Sequence, residues 1–389
     1  MLMLALQPDY VSTSRLPKSF SAAGFELACL SQPSSLLHHT RYIEKRYALR
    51  SDRSATTILR DLETVFLAFQ PDILVPCDER AIELLHYWVR HERAAPGQVS
   101  APLLACLSRS LGSLEHLPAR SLKHVTQQLA RSLGLRTPEE RIVTSAQEAC
   151  DAALRFGYPV VLKRSHGAAG TGVRICQDRA ALLGAFEAFD KTLPAMRALR
   201  RRWLRRDWFP VKSTIVVQQH IAGIPAMTCA SALSGRTLAV LSAVALQTGT
   251  ATGPASVARL TPHAGMVSSS AAMIKAFGAS GMLSFDFILD DDGREYLLEC
   301  NPRPTTVLHL GHLVDVDLAE ILLDGMRGRF PASPVTNAAR EPTVAIFPQE
   351  WLRDPQSPAL QDVLHDVPWD DPHLLKAIVS RHPIAELIG

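Results

Sequence analysis

Two carboxylates and an amide in the stretch 281–304, GMLSFDFILDDDGREYLLECNPRP, have the types and spacing to hold a hard cation. LSFDFIL and EYLLECN read as two strands around Asp292-Gly293, a dipeptide that favours a tight hairpin turn. With those two residues as a type I′ loop, Asp291 opposes Arg294 and Asp286 opposes Glu299. Side chains alternate along a strand, so Asn301 shares the face of Glu299. Asp286, Glu299 and Asn301 then converge, directly opposed Cβ atoms being roughly 5 Å apart. Mg²⁺ accepts such oxygen ligands, usually alongside waters and nucleotide phosphates. The opposite face carries Phe285, Phe287, Leu289, Tyr296 and Leu298 and is expected to be buried. An acidic hairpin facing water is the competing reading. It suits Asp290, Asp291 and Asp292 at the turn, but Glu299 interrupts the apolar run Tyr296-Leu297-Leu298-Cys300.

A second stretch with chemical potential is PVVLKRSHGAAGTGVRICQ, residues 159–177, which reads as strand, glycine-rich loop, strand. Small residues let backbone N–H groups approach an anion, and Lys163 ends the apolar strand at the mouth of that loop, where it can pair with phosphate. The spacing fits neither a P-loop nor a Rossmann turn, and a plain glycine hairpin is the alternative. Residues 196–208, MRALRRRWLRRDW, place Arg197, Arg201 and Arg205 on one helical face; a solvated insert, an anionic substrate contact and nucleic-acid binding all fit that pattern. Arg259, in the Thr-, Gly- and Pro-rich stretch TGTATGPASVARLTP read as a loop, either grips a substrate carboxylate or caps a helix.

These residues must be positioned by the rest of the chain. Residues 1–100 alternate strand and helix, as a small parallel α/β domain does: LMLAL, FELACL and Ile73–Pro76 as strands, and a helix over about 54–69. Asp78 and Glu79 stand at a strand's C-terminal end, where open α/β sheets bind ligands, although capping the next helix is the simpler job for Asp78. AAPGQVSA (94–101) reads as a linker, ARSLKHVTQQLARSLGL as a helix, TIVVQQHI (214–221) and LAVLSAVALQ (238–247) as buried strands, and 268–279 as a helix leading to the hairpin. A helix around 315–327, a Pro-rich linker over 331–342, a strand at TVAIF and a helix near 372–380 close the chain.

At 389 residues, 20% charged and 47% hydrophobic, the composition is that of an ordinary globular chain with material for two or three domains. A net charge of +3 gives no ground for a nucleic-acid or membrane partner. Seven scattered cysteines, none in CxxC spacing, argue against a disulfide framework or a zinc site and for a reducing, cytoplasmic setting. MLMLALQPDY lacks a basic flank and reads as a first strand rather than a leader, and no apolar run reaches the ~20 residues of a membrane span.

The order of these parts, from Lys123 in a helix through the strand Val160–Lys163 with its glycine loop and the strand end QQHI to LSFDFIL…EYLLECNPR, resembles the ATP-grasp superfamily over about residues 100–325. The resemblance implies an N-terminal pre-ATP-grasp α/β domain (1–100), an ATP-grasp domain (101–330) of two α+β subdomains gripping ATP, with its lid at about 156–222, and a C-terminal extension (331–389). It implies ATP and two Mg²⁺ ions, or Mn²⁺ in their place, with Asp286, Glu299 and Asn301 as ligands. Lys123 and Lys163 would hold the phosphates, with His166, Gly167, Gly170 and Gly172 in the loop that closes over them. The adenine hinge would be the backbone of Gln218 and Ile221, with Gln219 and His220 between, and Leu298 would floor the pocket. Arg303 matches the arginine that stabilises charge on an acyl phosphate, giving a ligase that joins a small carboxylate to an amine, with a homodimer as a common family state. A bicarbonate-activating carboxylase and a non-catalytic ATP-binding protein are the alternatives. Ile224-Pro225 stands where many relatives carry an acidic ribose contact, and Ser284 where many carry an arginine.

Overall fold

Short apolar runs such as Leu2–Ala5 (β1), buried on both faces, demand a parallel sheet covered by helices. The computed structural model describes residues 1–7, 10–50, 54–117, 120, 122–165, 172–190 and 214–382. Its first unit joins β1, β2 (Ala28–Ser31), β3 (Lys45–Ala48) and β4 (Leu74–Pro76), all parallel, in the order β3-β2-β1-β4. Helices α1 (Val11–Ser14), α2 (Leu16–Ala23), α3 (Ala55–Phe69) and α4 (Glu79–Ala94) connect and flank them. Ser54 caps α3 and Asp78 caps α4, each side chain accepting from an amide of the first turn. The expected linker is a short turn, because α5 (Ala101–Leu111) buries Leu103, Leu107 and Leu111 against Leu2, Leu4 and Leu74, and this core runs on to Leu117. A boundary at residue 100 would cut through it.

After α6 (Lys123–Ser132) comes a four-stranded antiparallel sheet of β5 (Glu140–Val143), β6 (Val160–Arg164), β7 (Val173–Cys176) and β8 (Ile215–Gln219), in the order β5-β8-β6-β7. Helices α7 (Ala146–Phe156) and α8 (Arg179–Asp190) bury Ala149, Ala153, Leu182 and Phe186 on its Val160, Leu162 and Val217 face. Lys163, next to Leu162 in β6, therefore points away from that core.

The third sheet has eight strands: β9 (Ile224–Leu233), β10 (Arg236–Thr248), β11 (Ala255–Leu260), β12 (Gly281–Leu289), β13 (Glu295–Asn301), β14 (Val335–Thr336), β15 (Thr343–Ala345) and β16 (Leu364–His365). Its order is β13-β12-β9-β10-β11-β15-β16, with β14 beside β10. Helix α9 (Ala264–Phe277) covers one face with Met266, Met273 and Phe277, while Leu238, Leu241 and Ala243 on the other face meet α2 of the first unit and α10 (Leu318–Met326). The C-terminal segment thus supplies strands to this sheet, and its α11 (Gln349–Arg353) and α12 (Pro372–Val379) share a small core with Val11 and Leu36. No helix among the described residues is long and apolar enough to cross a membrane.

Candidate active site

The hairpin that carries the carboxylates departs from the expected geometry twice. Asp290 N–H donates to the Arg294 carbonyl at 3.0 Å and Gly293 N–H to the Asp290 carbonyl at 2.9 Å, so three residues, 291–293, form the loop. Gly293 takes a φ of 72°, the left-handed conformation that closes such a loop, and Asp290 Oδ1 accepts from the amides of Asp292 and Arg294. Asp290, rather than Asp291, therefore opposes Arg294. Further along, Phe287 pairs with Leu297 but Asp286 pairs with Glu299, leaving Leu298 as an extra, bulged residue. The two one-residue offsets cancel at the site, and Asp286 faces Glu299 as the alternation required. The bulge also reassigns the buried face: Leu297 and Cys300 join Phe285 and Phe287 in the core, whereas Tyr296 and Leu298, expected there, are only half-buried.

A bulge interrupts the ladder, and Gln127 repairs the interruption. Its Nε2 donates to the carbonyls of Leu297 at 2.6 Å and Leu298 at 2.8 Å. Gln127 escaped sequence reasoning; its only signal is a place on α6 one turn beyond Lys123, on the same helix face. Replacing it by alanine removes the donor from one buried and one half-buried carbonyl and is expected to cost about 1–3 kcal/mol, readable as a lower urea midpoint.

Four charged groups meet on the open side of the hairpin. Lys123 Nζ lies 2.5 Å from Glu299 Oε2, Asn301 Nδ2 donates to Asp286 Oδ2 at 3.0 Å, and the two carboxyls are hydrogen-bonded to each other. Lys163, buried at 8% exposure, stands beside Glu299, Lys123, Glu140 and Asp286. Burial and the neighbouring Glu299 push the Asp286 carboxyl well above the usual range. Burial would raise Glu299 as well, but Lys123 and Lys163 outweigh it and hold Glu299 low. Lys163 drops to about 8, chiefly through desolvation, with Lys123 adding repulsion against the pull of Glu299. Lys123 is held above its ordinary value because Glu299 overcomes its own burial. Lys123 opens α6, whose N-terminus no side chain caps; a cation there opposes the helix dipole unless an anion sits with it. Glu299 is that anion in this structure.

The donor set suits a hard cation. Among the described residues no three His, Cys, Asp or Glu side chains cluster as a metal site. The set is two carboxylates and an amide, all able to offer oxygen, with the Asp286 carboxyl forced toward its neutral form by burial and then by Glu299.

The hinge segment lies at the end of β8. Gln218 sits inside the small sheet, in register with both Glu140 and Val161, and its Nε2 reaches Glu140 Oε2 at 3.4 Å. Gln219 is tied to Glu139 through its backbone N–H at 2.8 Å and its side-chain oxygen at 3.3 Å. His220 and Ile221 lie beyond the last paired residue and are half-buried. Arg303 stands near the hairpin's exit, 5% exposed, bonded to Glu79 and Tyr10 of the first unit. Asp78 does cap α4, and its other oxygen also accepts from the amides of Leu6 at 2.6 Å and Gln7 at 3.0 Å.

A family model described as "Carbamoyl-phosphate synthase L chain, ATP binding domain" matches residues 123–198. The large chain of carbamoyl phosphate synthase from Rubrobacter xylanophilus is 26% identical over 224 residues, which are 56% of this chain and 18% of that one, so the match spans under a fifth of the relative's length. Among solved structures, the biotin carboxylase domain of the Hydrogenobacter thermophilus 2-oxoglutarate carboxylase, a dimer with MgADP, ADP and bicarbonate, aligns with a TM-score of 0.62 at 16% identity. That alignment covers 88% of this chain and 73% of the domain. The L-amino acid ligase from Bacillus licheniformis aligns with a TM-score of 0.56 at 14% identity over 85% of this chain and 75% of its own. The chain has the ATP-grasp fold.

His166, Gly167, Gly170 and the basic patch 197–206 lie outside the described residues; of the loop, Gly172 is described, its carbonyl accepting from Arg164 N–H at 2.8 Å. Arg259 is corrected: it belongs to β11, not to a loop, and is exposed. Register carries it through Val244 and Ala226 to Phe287, on the α9 side of the sheet, whereas Asp286 aligns with Met227, Ala243 and Leu260 on the opposite side. Arg259 therefore does not share the face of the carboxylates. β11 pairs antiparallel with the preceding strand β10 on one side and with β15, some eighty residues later, on the other.

Proposed function

We propose that this ATP-grasp chain is an ATP-dependent, ADP-forming ligase that activates a carboxylate as an acyl phosphate for attack by an amine. The observation that carries the reading is the convergence of Lys123 and Lys163, from two separate elements, on Asp286, Glu299 and Asn301 of the hairpin. Asp286, Glu299 and Asn301 would hold Mg²⁺, which when bound neutralises charge on the β- and γ-phosphates. Lys163 and Lys123 would pair with the phosphates from the opposite side, where burial strengthens each contact and keeps water from the acyl phosphate. Of the expected hinge residues Gln218 lies within the sheet, in register with Glu140 and Val161, so His220 and Ile221, past the strand's last pair, would offer backbone groups to adenine, with Leu298 as an apolar surface beneath it. Arg303 would hold the oxyanion that develops at the carboxyl carbon. Phosphoryl transfer of this kind asks the protein for positioning and charge more than for covalent help.

The test is a hydroxamate trap: protein, Mg-ATP and hydroxylamine against pools of amino acids and metabolite carboxylates. Hydroxamate and ADP together in one pool are the expected result and name the carboxylate. A second reading, activation of bicarbonate, draws support from the carboxylases among the fold neighbours. ADP release that depends on bicarbonate alone, with no hydroxamate from any pool, would replace the ligase by that carboxylase. ATP binding without ADP release under any of these conditions would sink both.

A further inference from the structure

Arg303 follows the hairpin directly, yet most of what holds it comes from the other end of the chain. Its Nε donates to Glu79 Oε2 at 3.2 Å, and its Nη1 to the Tyr10 hydroxyl at 3.0 Å and to its neighbour's Pro304 carbonyl at 3.2 Å. The guanidinium carbon stands 5.4 Å from the centre of the Tyr10 ring, within cation–π range. Among the described residues none accepts from Nη2. Burial would lower the guanidinium pKa, but Tyr10 and Glu79 outweigh it and keep the charge fully formed.

The two holding residues sit on a platform that the parallel sheet builds. Glu79 opens α4 after β4, Tyr10 precedes α1 after β1, and β1 and β4 are neighbours. Both therefore project from C-terminal strand ends, the side on which open α/β sheets bind ligands. Asp78 fastens that platform by bonding the amides of Leu6, Gln7 and Ala81 at once. A buried ion pair is a poor source of stability, because desolvation offsets its Coulomb gain. A guanidinium gripped on Nε and Nη1, however, has lost its rotational freedom and offers its remaining nitrogen in one direction.

We propose that Glu79 and Tyr10 are positioning residues for the ligation: they fix Arg303 so that Nη2 is the donor presented to the reacting carboxyl group. The first unit is then part of the catalytic apparatus rather than a mere platform for it. This rests on the ligase reading given above.

The experiment compares Glu79→Gln, Tyr10→Phe and Arg303→Ala, singly and in pairs, using Mg-ATP, hydroxylamine and the carboxylate pool that yields product with the wild type. Glu79→Gln should lower kcat by about 10- to 100-fold while KM for ATP stays within about twofold, as expected when a reacting group is misplaced rather than unbound. Adding Glu79→Gln to Arg303→Ala should change kcat no further, because both act through one guanidinium. An equal loss from Glu79→Gln in both backgrounds would overturn the proposal and make Glu79 a substrate contact in its own right. A second readout needs no substrate: in ¹⁵N-arginine-labelled protein the Arg303 side chain should show slow Cζ–Nε rotation that Glu79→Gln and Tyr10→Phe abolish. Unchanged rotation in both variants would also overturn it. A wild-type protein that forms no hydroxamate from any pool would overturn the ligase reading and the catalytic half of this proposal, whatever the arginine signal shows.

Discussion

Glu299→Gln is expected to lower turnover about 10²- to 10³-fold while leaving the fold intact, the loss usual for removing one preorganised charged contact. Glutamine keeps the volume and one oxygen, so neither the bulge at Leu298 nor the pairing with Asp286 is disturbed sterically. Electrostatically, Glu299 is the group that Lys123 contacts at 2.5 Å and that Lys163 also faces. Its removal does not strand two buried cations, because Asp286 is held toward its neutral form largely by burial and by Glu299 itself. With Glu299 gone, Asp286 ionises more readily and takes over part of the compensation, so the melting temperature should move by only a few degrees. What cannot be replaced is the second carboxylate that the proposed Mg²⁺ site requires. The measurements are ADP release with the productive carboxylate pool and a thermal melt on the same preparation. Near-normal turnover in a well-folded variant would remove the metal assignment; a collapse of the melt would show Glu299 to be structural.

Asp366→Ala carries the largest expected cost to stability, about 3–5 kcal/mol, the range found when one member of a buried ionic set is removed. Asp366 is 6% exposed and lies just past β16, yet it accepts from Arg15 Nη2 at 2.7 Å and from His309 Nε2 at 2.9 Å. Arg15 belongs to the first unit and His309 to the segment after Arg303, so one carboxylate joins three remote parts of the chain. Burial alone would raise its pKa, but His309 and Arg15 outweigh burial and hold it below the usual aspartate range. A carboxyl whose folded pKa is depressed contributes stability that is complete above its unfolded value and is lost as pH falls through the folded one. Wild-type protein should therefore weaken in acid below the usual aspartate range, and Asp366→Ala should flatten that part of the profile. Urea midpoints taken from neutral to acid pH test both points. Parallel profiles for the two proteins would contradict the assignment of Asp366 as the titrating link.

How much of this was legible beforehand differs from one residue to the next. The convergence of Asp286 and Glu299 followed from strand alternation and survived because two offsets cancelled: a three-residue loop where a two-residue turn was expected, and a bulge at Leu298. Strand and helix alternation in the first hundred residues, the cap Asp78 and the place of Lys163 near the end of its strand were equally readable, being consequences of neighbours within a few positions. The ATP-grasp fold, expected from the order of such parts, is the fold observed.

Other features depended on residues far away in the chain. Tyr296 and Leu298 left the buried face because Gln127, from another helix, satisfies the carbonyls that the bulge frees. Arg259, expected in a loop, lies in β11, a strand held between β10 and a partner, β15, drawn from the C-terminal segment. Arg303 could be read as a charge near the hairpin's exit, but its anchors, Glu79 and Tyr10, lie 224 and 293 residues away. The sequence by itself determined which residues share a strand face or a helix turn, since bond geometry and local propensity impose those periods on any chain. Only the tertiary structure decided which of those faces meet, because pairing between distant segments is selected by burial and by the need to satisfy every buried polar group, and neither leaves a local periodicity.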